Sequence, residues 1–250
     1  MLSHTQLKFL TALSIKKYRY EYQKFTVEGE KMVAELLTQQ RVAVSAIYGL
    51  EEWITAHEVL CRPFLSKITT ITAAELKKIS SLSTPHSVLA VAEMPKILPE
   101  IITDRVCLYL DGIQDPGNLG TILRTADWFG IPAVYCSADC ADVYSAKTIQ
   151  AGMGAFLRIY TQEVALEQLL AHTPNRMVWG AVLGGTKLAQ IDLSGPGVLV
   201  VGNEGRGIRP DTEQLLTHRI TIPKHPESRA ESLNAAVAAG ILMAKIGLSE

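Results

Sequence analysis

The 250-residue sequence has no apolar run near the roughly 20 residues that a membrane-spanning helix needs. Residues 1–20, MLSHTQLKFLTALSIKKYRY, carry no basic stretch ahead of their short apolar run and no small-residue cleavage site. They therefore read as an amphipathic helix and not as a signal peptide. Cysteine is scarce, at Cys61, Cys107, Cys136 and Cys140. No second Cys/His pair complements Cys136 and Cys140 at zinc-site spacing, and Cys107 and Cys136 lie in apolar runs where a thiol acts as a small hydrophobe. A reduced, cytoplasmic protein without a metal site is expected. Charge of one sign is missing too, with 24 basic against 25 acidic residues and a formal net charge of -1. That balance excludes a protein that coats nucleic acid non-specifically, yet leaves room for a local basic patch. There is no Gly-Lys-Ser/Thr phosphate loop, no internal repeat and no low-complexity tract.

What is present is apolar side chain, 48% of the residues, enough for two domains. Residues 28–39 place Met32, Val33, Leu36 and Leu37 at helical spacing, which predicts a helix. Strand-like runs follow at Val42–Tyr48 and Val88–Ala92. Residues 93–104 hold two prolines in a weakly patterned stretch, the best linker candidate. From Val106 onward strands and helices alternate, with strands predicted at Val106–Leu110, Ala133–Cys136, Met177–Val182, Val198–Val201 and Arg219–Ile222 and a last helix over 232–246. Short apolar strands separated by helices predict an α/β fold with a parallel sheet covered on both faces. The expected division is a first domain over 1–95 and a second over 104–250. Ligands of such sheets bind at the carboxyl ends of the strands, so the loops after the strands are where chemistry belongs.

Three of those loops stand out. The first runs from Asp111 to Arg124 (DGIQDPGNLGTILR), where Asn118 is placed to cap a helix whose apolar face is Leu119, Ile122, Leu123 and Ala126. Arg124, about 100° round from Leu123, can face the sheet edge, the alternative being an ordinary capped helix with a solvated arginine. The second is Val200–Ile208 (VVGNEGRGI), where Gly202, Gly205 and Gly207 let backbone approach a ligand closely. Its order, G-x-x-G-x-G, is not the dinucleotide fingerprint. Glu204 within it is either functional or a solvated turn carboxylate. The third leads from Ile222 through Pro223 and Lys224 to Ser232-Leu233-Asn234 and an alanine-rich helix. Capping accounts for Ser232, but not for Asn234 inside the first turn.

Asn118 with Arg124, then Gly-Asn-Glu-Gly-x-Gly, then Ile-Pro followed by Glu-Ser-Leu-Asn resemble, in order, the three signature motifs of the SpoU/TrmH family, RNA ribose 2′-O-methyltransferases of the SPOUT superfamily. The resemblance covers residues 104 to the end. Residues 1–95, around Phe25-Thr-Val-Glu-Gly29, resemble more briefly the family's small L30e-like α/β substrate-binding domain. The resemblance implies a trefoil-knotted parallel-sheet domain, S-adenosylmethionine as methyl donor, structured RNA (ribosomal or transfer) as substrate and a homodimer. It implies a catalytic set of Asn118, Arg124, Glu204, Ser232 and Asn234, and donor contacts at Gly202, Ile222 and Leu233. Leu183 and Gly184, just past the strand ending at Val182, are additional candidate walls. The loop before Ser232 is longer than the family's and carries Lys224, His225, Pro226 and Arg229.

A ribose hydroxyl is a weak nucleophile, so an enzyme must align it with the donor methyl and stabilise developing alkoxide charge. The family proposal makes the motif-one arginine the general base. A guanidinium is not normally deprotonated in proteins, which favours Arg124 as a phosphate clamp and alkoxide stabiliser. Glu204 would then orient Arg124 or its neighbours. No metal is required. For RNA, residues 1–24 carry Lys8, Lys16, Lys17, Arg19 and Lys24 against Glu21, an excess of four positive charges interleaved with Tyr18, Tyr20 and Tyr22. Lys16, Lys17, Arg19 and Lys24 are the candidate RNA contacts, with the tyrosines suited either to base stacking or to packing. The competing readings are a non-catalytic RNA-binding protein of the same fold and an unrelated α/β nucleotide enzyme.

Overall fold

The computed structural model describes residues 1–95, 104–172, 176–193 and 195–248. Most of the expected linker, 93–104, lies outside these. The chain forms two compact units, residues 1–97 with 144–157, and residues 98–143 with 158–250. The segment 144–157 thus belongs with the first unit although it falls between two strands of the second, a difference from the two contiguous stretches expected. The physical reason is packing: Phe25 lies tilted against Tyr144 and meets Phe156 edge-on, with ring centroids 4.7 and 5.6 Å apart, and the Gln150 side-chain amide donates to the Glu28 carbonyl at 3.0 Å.

The first unit holds α1 (His4–Ala12), α2 (Lys16–Tyr22), β1 (Lys24–Glu28), α3 (Glu30–Thr38), β2 (Val44–Gly49), α4 (Glu51–Ala56), α5 (Glu58–Cys61), β3 (Ile68–Thr70), α6 (Ala73–Ile79) and β4 (Val88–Glu93). Its sheet runs β1-β4-β2-β3, antiparallel except for β2 with β3. Leu10 and Leu13 at α1 and Leu76 and Ile79 of α6 pack with Tyr48, Leu89 and Val91. The four apolar residues predicted for α3 are all buried. Glu28 is buried as well, its carboxylate accepting the Ser81 backbone N–H at 2.9 Å and the hydroxyls of Ser80 and Ser81.

Arg19 corrects an expectation. Lys16 and Lys17 are exposed and Lys24 half-buried, but Arg19 is 3% exposed. Its Nη1 donates to the carbonyls of Leu13 and Ser14, both at 2.8 Å, so it satisfies backbone just beyond α1 instead of facing solvent. A buried carbonyl stripped of its partner costs desolvation energy that water cannot return.

The second unit holds β5 (Val106–Asp111), α7 (Pro116–Trp128), β6 (Ala133–Cys136), then, after α8 (Ala146–Gly152) of the first unit, β7 (Tyr160–Glu163), α9 (Leu166–Ala171), β8 (Met177–Lys187), β9 (Gly197–Gly202), α10 (Pro210–Glu213), β10 (His218–Thr221) and α11 (Ala235–Gly247). All six strands are parallel, in the order β10-β8-β9-β5-β6-β7. Cys107, Tyr109, Tyr135, Val198 and Val200 pack with Leu166 and Leu169 of α9. The alternate residues Leu108, Leu110, Val134, Leu199 and Val201 are equally buried, so the sheet is covered on both faces as the unbroken apolar runs require. Along α11, Gly240 lies against Thr125 of α7, and a Cβ at Gly247 would stand 2.9 Å from Phe129. The four thiols are free and buried, and no helix among the described residues is long and apolar enough to cross a membrane.

Replacing Arg19 by Met should lower stability by about 2 kcal/mol in urea unfolding, through two orphaned carbonyls. The Lys17→Met change, on the exposed side of α2, should cost less than about 0.5 kcal/mol. Equal effects would mean that Arg19 is not an anchor.

Candidate active site

The order of the sheet reverses between β5 and β9. From β5 the strands step outward through β6 to β7, and from β9 through β8 to β10. A crevice opens at such a switch point, beyond the carboxyl ends of the strands. Asp111 at the end of β5 pairs with Gly202 at the end of β9, which sets the first and second loops side by side.

In the first loop the helix cap is Asp115, not Asn118: its carboxylate accepts the Asn118 N–H at 2.9 Å. Asn118 sits in the first turn of α7, and its side chain reaches across, Nδ2 donating to Glu204 Oε1. The second loop folds back on itself, with Asn203 N donating to Gly207 O at 3.0 Å and Gly207 N to Asn203 O at 2.9 Å. A Cβ on Gly202 would stand 2.3 Å from the Gly207 carbonyl carbon, so the turn closes only with glycine there. Asn203 staples the turn, its Oδ1 accepting from Gly205 N at 2.9 Å and Arg206 N at 3.2 Å, and its Nδ2 donating to Gly112 O at 2.9 Å.

The third loop reverses the expected roles of its two polar residues. Asn234 is the cap of α11, Oδ1 accepting from Ala236 N at 3.0 Å and Val237 N at 3.2 Å. Ser232 lies outside the helix, its hydroxyl 3.4 Å from the Glu204 carbonyl. The remaining face of Asn234 donates from Nδ2 to Asn118 Oδ1 at 3.0 Å. Glu204, Asn118, Asn234 and the amino end of α11 therefore form one hydrogen-bonded chain linking all three loops. Arg124 stands apart from it, exposed on α7 and without a hydrogen bond or ion pair to any described residue.

Beside this chain lies a cavity of about 870 Å3, walled by Leu183, Gly202, Ile222 and Leu233 together with Ala238 and Leu242. Gly184 is not in its wall. Leu183 and Gly184 were expected beyond the end of a strand, but β8 continues to Lys187. Pairing with β10 jumps from Gly180–Arg219 to Thr186–Ile220, so residues 181–185 bulge out of the ladder and carry Leu183, 81% exposed, to the cavity. Gly185 meets the β10 backbone where a Cβ would fall 2.6 Å from the Arg219 carbonyl carbon.

Sequence reasoning missed the residues that hold these loops from behind. Ser137 Oγ accepts Gly112 N at 2.9 Å and donates to Asp139 Oδ1 at 2.7 Å, while Cys140 Sγ accepts Ile113 N at 3.3 Å and donates to Leu110 O at 3.3 Å. The hydrogen bond from Cys136, aided by Ser137, brings the Cys140 thiol down to about 7 against the opposing effect of burial. Cys136 is pushed well up by the same bond and by its burial. The one signal in the sequence was the tight Cys136–Cys140 spacing, which read as strand packing or half a metal site. Among the described residues, no three His, Cys, Asp or Glu side chains gather as a metal-ligand set.

Comparison with known proteins places this geometry. Residues 105–244 match the SpoU rRNA Methylase family and residues 4–90 the MRM3-like substrate binding domain. The 23S rRNA (guanosine(2553)-2'-O)-methyltransferase of Bacillus subtilis is 31% identical over 242 residues, 92% of this chain and 91% of that protein. A Porphyromonas gingivalis structure assigned to the TrmH family of RNA methyltransferases superposes with a TM-score of 0.88 at 38% identity, covering 100% of both chains. An rRNA methyltransferase of Sinorhizobium meliloti with AdoMet bound gives 0.86 at 25% identity, over 100% of this chain and 97% of that one. The chain belongs to the SpoU rRNA methylase family.

Proposed function

We propose that the protein transfers the methyl group of S-adenosylmethionine to a ribose 2′-hydroxyl of ribosomal or transfer RNA. The observation that carries this reading is the chain Glu204–Asn118–Asn234, which joins the three family motifs at the rim of the cavity. Its relatives point the same way: the Bacillus subtilis protein is a ribose methyltransferase of 23S rRNA, and the Sinorhizobium meliloti structure holds AdoMet.

The cavity suits an adenosine in size and in the chemistry of its wall, apolar at Leu183, Ile222 and Leu233 and bare backbone at Gly202. The bound donor supplies an electrophilic methyl on a sulfonium. Glu204, Asn118 and Asn234 hold the three loops at fixed spacing, and Ser232 ties the third loop to the Glu204 carbonyl. Such pre-set geometry replaces the entropy of aligning two reactants. Arg124, with its donors uncommitted to any described residue, clamps the phosphate beside the target ribose and stabilises the alkoxide as it forms. Lys16, Lys17 and Lys24 of the first unit contact RNA phosphates. The same reading includes the knotted threading of the second unit, an L30e-like fold for the first and a reducing, cytoplasmic setting for the four free thiols. It also includes a homodimer. Trp128 at the end of α7 is 83% exposed, and Val237, Ile241 and Leu248 along and just beyond α11 are exposed too, an apolar surface that association would cover.

Titration calorimetry should show S-adenosylmethionine binding equally with and without EDTA, and Gly202→Ala should weaken it by tenfold or more because the turn can no longer close. Binding of a nicotinamide cofactor with no binding of the donor would overturn the assignment. Arg124→Ala should cost a hundred- to thousandfold in turnover, about 3–4 kcal/mol, while leaving donor affinity unchanged. Lysine should restore part of the rate, as a point charge lacking the guanidinium fork. A steep rise of the lysine variant's rate with pH would instead indicate a general base at that position. In sedimentation at micromolar concentration the protein should be a dimer and Trp128→Glu should shift it toward monomer. A monomeric parent protein would remove the proposed interface.

A further inference from the structure

Behind the site the ends of β5, β6 and β9 are tied by an ion cluster that the reaction above does not use. Asp111 is 1% exposed, a carboxylate at the buried end of a central strand. Its Oδ2 accepts the backbone N–H of Arg209 at 2.8 Å, and its Oδ1 accepts Arg209 Nε at 2.7 Å and also Nη2. Asp139, just beyond β6, lies 3.4 Å from Arg209 Nη1 and is held below the usual carboxylate range, first by its Ser137 hydrogen bond and in part by Arg209. The Arg209 guanidinium is raised in turn, chiefly by Asp111.

The placement of these bonds matters more than their number. The loop 203–208 leaves β9 at Gly202, paired with Asp111, and it returns at Arg209, bonded to the same Asp111. Asn203 adds a bond to Gly112, the next residue of that strand end. Both feet of the loop carrying Glu204 are thus referenced to β5. Asn118 is referenced to β5 too, because α7 begins within the loop that follows it. The relative position of Glu204 and Asn118 therefore depends on the β5–β9 register at one foot of the loop and on how Arg209 meets Asp111 at the other. A buried carboxylate alone needs only a counter-charge; this one takes the arginine's backbone N–H as well as its fork, which fixes the path of the chain and not merely the charge.

We propose that Arg209, held between Asp111 and Asp139, is a positioning residue for the reaction, acting through Glu204. The inference rests on the reading of Glu204 as part of the methyl-transfer machinery. It makes two claims that can be measured separately. One concerns the loop, the other the rate.

The loop is read by hydrogen exchange on the full-length protein without RNA. Arg209→Met should speed exchange of the amides of residues 203–208, above all the bridged amides of Asn203 and Gly207, and Asp139→Asn should do so more weakly. Unchanged exchange overturns the proposal, whatever the enzyme's activity. The rate is read in a double-mutant cycle with Glu204→Gln under single-turnover conditions. Arg209→Met should slow methyl transfer by about a hundredfold in the parent protein, the cost of displacing by about 1 Å the loop that aligns the reactants. In the Glu204→Gln background the further loss should be less than about threefold, because the carboxylate through which Arg209 acts is already gone. Equal losses in both backgrounds would show that Arg209 acts only through general stability. Arg209→Lys should recover little, since an ammonium cannot reproduce the fork. Should Arg209→Met fold poorly, the more exposed Asp139→Asn carries the same cycle, with a smaller loss in the parent and none beyond Glu204→Gln. If the parent protein neither binds donor nor transfers methyl, the functional reading falls while the exchange result still decides the loop claim.

Discussion

The pairing of β5 with β9 is the constraint on which the rest of the second unit depends. It seats the last residue of the earliest strand, Asp111, opposite the last residue of the late strand, Gly202. Parallel pairing with evenly spaced, slanted hydrogen bonds fixes that register along the whole ladder. From it follow the proximity of the first and second loops, the crevice at the reversal of strand order and the reach of Asn118 to Glu204. A slip by one residue would exchange the buried faces of both strands, and every residue of β5 is buried. The register is thus locked by the core before any functional group is involved.

Once the strand ends are fixed, short polar contacts do the remaining placement. Asn234 uses both halves of its amide, the oxygen as helix cap and the nitrogen on Asn118, and Asn118 passes the link to Glu204. An amide that donates and accepts can relay position where a carboxylate or ammonium can only end a chain. This explains why two asparagines, poor helix formers, stand at or near the starts of two helices. The proposed donor contacts are of a different kind, apolar walls and a glycine whose missing Cβ leaves room for backbone to close on backbone. Between these two chemistries the exposed Arg124 is left as a charge facing solvent, suited to a ligand that arrives from outside the fold.

The first unit shows the same economy applied to folding. Arg19 spends its charge on two carbonyls, Glu28 on the residues following α6, and neither is a surface group despite its sequence setting among Lys and polar residues. The inserted segment 144–157 shares that core through Phe25, Tyr144 and Phe156, so the hydrophobic content of the catalytic stretch is divided between two cores.

Patterns that are local in the chain could be read from the sequence. The apolar runs gave four of the six parallel strands to within two residues at each end, the 3.6 period gave α3, and the three polar loops named Asn118, Glu204, Ser232 and Asn234, which converge, along with Arg124, which stands apart. Strands β3 and β7, three and four residues long and half-exposed, carry no such run and were invisible. The long β8 was cut short at Val182 because its continuation bulges around two glycines, and a bulge against β10 exists only once β10 is in place. Two caps differ from those expected: Asp115, just before Pro116, caps α7 and leaves the Asn118 side chain to bond Glu204, while Asn234 caps α11 in place of Ser232 and also reaches Asn118. The bonds of Cys140 to Leu110 and Ile113 and the clamp of Arg209 on Asp111 join residues far apart in the chain. Spacing along a sequence records neighbours on one helix or strand, whereas a carboxylate and a guanidinium 98 positions apart become partners only when the sheet brings their strand ends together.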